Sequence, residues 1–153
     1  MSYIHESLYQ TKDFSSIDFA DYLTNLVQNL VHSYQLYQDK IDLKMNVGSV
    51  RLALDQAIPC GLILNELVSN SLKYAYPGKR KGIIEIDVFE KNNRLTIGVT
   101  DFGVGLPEGF EIEKSESLGL SLVYTLVDQL DGELSLNRLG GTKFLITFDK
   151  QEV

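Results

Sequence analysis

The chain of 153 residues is 44% hydrophobic and 23% charged, the composition of one globular domain that buries a core rather than of a disordered segment. Its formal charge of −7 is spread along the chain, which argues against general binding to nucleic acid or an anionic membrane, since both want a basic surface. A single cysteine, Cys60, and apolar runs far short of the roughly 20 residues of a membrane span point to a reducing, cytoplasmic setting.

The N-terminal MSYIHESLYQ lacks the basic-then-apolar layout of a secretory signal, and residues 1–12 read as the end of a helix. Asp18 is a candidate cap for a helix through DYLTNLVQNLVHSYQ, where Leu23, Leu26, Val27, Leu30 and Val31 recur at helical spacing. Ile41–Val47 alternates with period two and predicts a strand. A second helix is expected from about Gln56, with Asp55 as candidate cap and Pro59 in its first turns, and Tyr76–Gly82 reads as a turn. Two strands follow, IIEIDVFE and RLTIGVTD, joined by Lys91-Asn92-Asn93. Asp101–Ser117 is a long loop rich in glycine and charge. LGLSLVYTLVDQL predicts a third helix with Leu122, Val123, Leu126, Val127 and Leu130 on one face, and the strands GELSLNRL and TKFLITF flank Gly140-Gly141. The order α-β-α-β-β-α-β-β does not alternate strictly. It predicts an α+β fold, a two-layer sandwich whose mixed, mostly antiparallel sheet carries its helices on one face and Glu85, Asp87 and Lys143 on the other.

Four stretches carry candidate chemistry. In NELVSNSLKYAY, on a wheel of about 100° per residue with Glu66 at zero, Asn70, Lys73 and Tyr74 fall within about 80° of it, opposite Leu64, Val68, Leu72 and Ala75. Such a stripe is either a solvated helix face with weak pairing at helical spacing or a converging site. Asp101 continues the series Leu95, Ile97, Val99, so an aspartate ends an apolar face, where burial is costly without a donor. Gly103 and Gly105 after it suit either a close ligand approach or an ordinary turn capped by Asp101. Ser117-Leu118-Gly119-Leu120 feeds a helix start, which is an anion site or a plain cap. Gly140-Gly141-Thr142 alone reads as a hairpin turn.

Taken in order, these motifs resemble those of the ATP-binding catalytic domain of sensor histidine kinases over about Phe19 to Phe148, within the superfamily of gyrase, Hsp90 and MutL ATPases with its Bergerat-type ATP-binding fold. The resemblance implies ATP and Mg²⁺ as ligands. It makes NELVSNSLKYAY the asparagine box, with Asn70 ligating Mg²⁺, Lys73 meeting phosphates beside Tyr74, and Glu66 as general base. Asp101 becomes the acceptor for the adenine amino group, Gly103 and Gly105 the backbone on which the nucleotide lies, Gly119 and Leu120 the amides offered to phosphates, and Thr142 a neighbour of adenine. Residues 106–118 become a lid. This sequence departs from many relatives in carrying Ser117 in place of a first glycine, and its lid is short, with Phe110 its one aromatic.

IHESLYQ followed by IDFADYL resembles the end of the second dimerisation helix in the HWE-like subgroup, with residues 1–16 a remnant of that helix and linker and 17–153 the catalytic domain. His5 lacks the rest of a phosphoacceptor box, and His32 is expected to be structural. The acceptor histidine then belongs on an earlier helix, and the expected partners are the chain's own phosphoacceptor domain and a downstream response regulator. Two other readings stay open: a stand-alone serine kinase of the anti-sigma type, and a nucleotide-binding module without catalysis.

Overall fold

The computed structural model of the chain describes residues 16–35, 41–75, 81–104 and 119–151, with the main chain alone at Gln35 and Tyr74. Strand β1 (Ser16–Asp18) runs into helix α1 (Phe19–Gln35), followed by β2 (Ile41–Val47), β3 (Arg51–Ala53) and α2 (Leu54–Asn70). Helix α2 continues as a π-helical turn, Ser71–Ala75. Then come β4 (Gly82–Lys91), β5 (Arg94–Asp101), α3 (Leu120–Gln129), β6 (Glu133–Asn137) and β7 (Thr142–Asp149).

Asp18 caps α1 as its position predicts, its Oδ1 accepting from the Asp21 N–H at 3.3 Å. Phe19, Tyr22, Leu23, Val27 and Val31 recur at helical spacing and are buried, while Asn25, Gln28 and Asn29 face solvent. Five strands form one sheet in the order β2-β4-β5-β7-β6. Only β2 and β4 run parallel, and the crossover that a parallel pair needs contains α2. The other pairings are antiparallel, so the mixed, mostly antiparallel sheet expected from element order is the one found. Asn92 and Asn93 turn the β4–β5 hairpin with φ of 52° and 62°, the left-handed pair of a type I′ turn.

Period-two alternation sends Ile84, Ile86, Val88, Leu95, Ile97, Val99, Phe144, Ile146 and Phe148 into one core with the helices. Each such side chain contributes about 1.5–3 kcal/mol when fully buried. On the other face of the sheet Lys143 is exposed, Glu85 and Asp87 are half-buried, and Lys44 pairs with Glu85 at 3.5 Å.

Four expectations are corrected. Strands β1 and β3 pair with each other as a separate small antiparallel sheet that the predicted element order lacks. Helix α2 begins at Leu54, so Asp55 lies inside it rather than capping it. The cap position is Ala53, which makes no side-chain hydrogen bond, because β3 leads directly into the helix and its pairing sets the entry. Pro59 falls in the second turn, among the first turns where it is expected. Helix α3 begins at Leu120, and Leu122 is 44% exposed instead of sharing the core face. Leu122 lies about 100° from Val123 on the wheel, just beyond the arc occupied by Leu120, Val123, Leu126, Val127 and Leu130. The turn at 76–82 falls mostly outside the described residues.

Candidate functional site

The inward series of β5 ends where the alternation said it would, with Asp101 only 5% exposed at the close of an apolar face. Its carboxylate is supplied with donors from three elements. Ser71 Oγ, at the start of the π-helical turn, donates to Oδ2 at 2.9 Å. The Gly103 N–H donates to Oδ1 at 3.1 Å, and Thr142, paired with Asp101 in the β5–β7 register, adds a backbone hydrogen bond. Burial pushes the Asp101 carboxyl above the usual carboxylate range, and the bonds from Gly103, Ser71 and Thr142 each pull it back.

The loop after Asp101 is sewn to the end of the π-helical turn. Val104 N–H donates to the Ala75 carbonyl at 2.9 Å, and that carbonyl fills the space where a side chain on Gly103 would stand. Gly141 packs in the same way on the main chain of Asp101 and Phe102. Asp101, Ser71, Gly103, Gly141 and Thr142 therefore form one cluster, with Ser71 and Thr142 each 7% exposed.

A second cluster lies along α2. Glu66 is half-buried, and its Oε2 takes the place of the side chain that Gly119 lacks. Gly119 precedes α3 in the left-handed region, φ 70°, without a side-chain cap, so the first amides of α3 keep no side-chain partner at the cap. Leu120 is 1% exposed and turns its side chain into the core, leaving only its main chain for any ligand.

Asn70 is the last residue of α2 and is half-buried, one turn beyond Glu66. Lys73 is exposed within the π-helical turn. The expected convergence of Lys73 with Glu66 assumed a uniform α-helix. A π turn advances less than 100° per residue, so Lys73 is offset from its α-helical position but stays on the exposed side. Tyr74 is placed by its main chain in the same turn, whereas Gly105, Ser117 and the lid with Phe110 lie outside the described residues. Ser71 was not singled out from sequence, although it falls at about 140° on the wheel, beside the apolar stripe, where a buried hydroxyl needs a partner.

Among the described residues no helix is long and apolar enough to cross a membrane, and no group of three or more His, Cys, Asp or Glu could hold a metal ion. The sequence family described as histidine kinase-, DNA gyrase B- and HSP90-like ATPase matches residues 55–152, and a histidine kinase family matches residues 1–34. The sensor histidine kinase PdtaS of Mycobacterium tuberculosis is 40% identical over 84 residues, 54% of this chain and 17% of that protein. The blue-light-activated histidine kinase 2 of Erythrobacter litoralis is 29% identical over 110 residues, 70% of this chain and 32% of that protein. The solved histidine kinase domain of an Erythrobacter litoralis blue-light activated histidine kinase superposes with a TM-score of 0.87 at 21% identity, over 97% of this chain and 70% of that one. The chain thus spans a sixth to a third of the length of these curated relatives.

Proposed function

Because this chain belongs to the histidine kinase-, DNA gyrase B- and HSP90-like ATPase family, we propose that it is the ATP-binding catalytic domain of a two-component sensor histidine kinase of the HWE-like subgroup. Its reaction is transfer of the γ-phosphoryl group of Mg²⁺-ATP to a histidine on a dimerisation domain, from which a response regulator takes it. The observation that carries the reading is the bonding of Asp101. A carboxylate offers about four acceptor sites. Ser71, Gly103 and Thr142 occupy three, which leaves one for a donor such as the adenine amino group.

In this reading Asp101 accepts from adenine, Thr142 lies beside the base, and the glycine-lined main chain at Gly103 and Gly105 lets the nucleotide approach. Gly119 and Leu120 offer main-chain amides to the phosphates at the start of α3, and Lys73 adds a point charge with Tyr74 beside it. Asn70 would hold Mg²⁺ through its amide oxygen. A site offering one or two protein oxygens suits this ion, which keeps water and phosphate in its shell. Bound there, it would neutralise charge on the transferring phosphoryl group. Glu66 accepts the proton of the attacking imidazole, and its carboxylate already lies against Gly119, where phosphates would meet α3.

The catalytic domain is drawn from residue 17 because α1 buries Phe19, Tyr22, Leu23, Val27 and Val31 in the same core as α2 and the sheet, even though the histidine kinase match at the N-terminus runs to residue 34. Calorimetric titration of Mg²⁺-ATP into this chain tests the binding half of the proposal. Affinity weakened by Asp101→Asn and a Mg²⁺ dependence changed by Asn70→Asp are expected, and a folded wild-type chain that takes up no nucleotide would defeat it. For the chemical half, Glu66→Gln in a protein carrying the dimerisation helices should slow phosphotransfer while leaving ATP affinity nearly intact. An unchanged rate removes Glu66 as the base.

A further inference from the structure

We infer that Ser71 is a positioning residue that aims Asp101 at the 6-amino group of a purine. The inference rests on the reading of Asp101 as the partner of adenine. Asp101 can turn about its side-chain bonds unless both oxygens are held. Gly103 holds Oδ1 from the loop that follows the strand, while Ser71 holds Oδ2 from a different element, the π-helical turn, across a sequence separation of thirty residues. The Ser71–Asp101 bond is buried, so water does not readily replace it. A hydroxyl donating to the carboxylate also favours the ionised form of Asp101, and only the ionised form accepts on every lone pair.

The bond has a second consequence. Ser71 is joined by one peptide unit to Asn70, the residue assigned to the metal. The acceptor for the base and the ligand for the phosphate-bound ion are thereby fixed to one short piece of backbone. The same piece is tied again at its far end, where Ala75 accepts from Val104 and closes on Gly103. Base recognition at the end of β5 and phosphate recognition at the end of α2 are held in register through the π-helical turn.

The test compares ATP with purine riboside triphosphate, which differs by the absence of the 6-amino group, in the intact chain. The ratio of their affinities reads the amino contact alone and cancels losses due to general loosening. In Ser71→Ala the preference for ATP should shrink by about three- to tenfold, as expected for loss of a buried hydrogen bond, with the affinity for the deamino nucleotide unchanged. In Asp101→Asn the preference should largely disappear, and adding Ser71→Ala to that variant should change it no further.

Acidity supplies an independent readout. Among the described residues the groups acting on the ionisation of Asp101 are uncharged: Gly103 from its own loop, Ser71 from the π-helical turn and Thr142 from β7. Removing the Ser71 donor raises the Asp101 pKa, so ATP affinity should begin its acid decline at a higher pH in Ser71→Ala than in wild type. An equal loss of both nucleotides, or an unmoved acid limb, overturns the role of Ser71. If Asp101→Asn leaves the preference for ATP intact, the assignment of adenine to Asp101 falls, and this inference with it. If Asp101→Asn abolishes the preference and Ser71→Ala does not touch it, only the inference falls.

Discussion

Replacing Asp101 with asparagine should weaken nucleotide binding and, at neutral pH, make the protein more stable. The two effects have separate origins. Burial at 5% exposure pushes the carboxyl above its usual range even against three hydrogen bonds, so the folded state holds this proton more tightly than the unfolded chain does. With a folded-state pKa above the unfolded value, the stability linked to this proton is fully present below the unfolded pKa. It is lost as pH rises through the folded pKa. At pH 7 the ionised carboxylate is therefore a net cost, and asparagine removes it. The amide can still accept from Gly103, and the Ser71 hydroxyl can reverse to accept from the new NH₂.

The size of each effect follows. A hydrogen bond to a charged acceptor is worth about 1.5–3 kcal/mol, so losing the one to the adenine amino group should raise the ATP dissociation constant by about 10- to 150-fold. Each kcal/mol of relieved burial cost raises the melting midpoint of a domain this size by about 2–4 °C. Calorimetry with ATP and thermal melts at several pH values, wild type beside Asp101→Asn, measure both. The stability gap between the two proteins should be widest near neutrality and close as pH falls toward the unfolded carboxyl pKa of about 4. A variant that binds ATP as well as wild type, or that melts lower at pH 7 and converges with wild type only at high pH, refutes the reasoning.

Three further outcomes are expected. Gly103→Ala drives a methyl into the Ala75 carbonyl, main chain that cannot swing aside, and should cost about 1–3 kcal/mol in urea unfolding as well as ATP affinity. The Tyr22 hydroxyl is buried without a hydrogen-bond partner among the described residues, and its pKa is pushed up to about 12, mainly by burial and further by Cys60. Tyr22→Phe should therefore be neutral or stabilising by up to about 1 kcal/mol at pH 7. It should also remove the part of alkaline destabilisation that Tyr22 contributes between pH 10 and 12 in wild type. Deleting residues 1–35 strips five buried side chains of α1 from the core, about 8–15 kcal/mol together, and should abolish the cooperative melt. A chain beginning at residue 16 should keep it.

Much of this was legible in residue order because alternation and helical spacing report burial. The series Leu95, Ile97, Val99 places Asp101 on the inward face, and Asp18 is readable as a cap from its place ahead of a periodic run. The pairing of β1 with β3 was not readable, since strands of three residues carry no period to detect. Asp55 looks like a cap because capping chemistry is local, whereas the true start of α2 is set by a strand partner 37 residues earlier, through the Ser16–Ala53 pairing. The π-helical turn around Lys73 is unreadable for a related reason. The wheel assumes hydrogen bonds of α spacing through the whole segment, and the switch to π spacing at Ser71 has no composition signal of its own.

The polar serine beside the apolar stripe of the helix has its reason in the strand end it faces. Ser71 lies at the margin of the core beside Leu72, where a buried hydroxyl without a partner is costly. The end of β5 presents the complementary problem, a carboxylate whose charged form burial disfavours. Each polar group is costly without the other, and together they satisfy both demands at 2.9 Å. Their meeting requires helix and strand to end side by side, which the Val104–Ala75 bond and the close contact at Gly103 enforce. A pair that neither stabilises its own element nor belongs to the apolar core is the kind of local conflict expected where a fold serves a ligand.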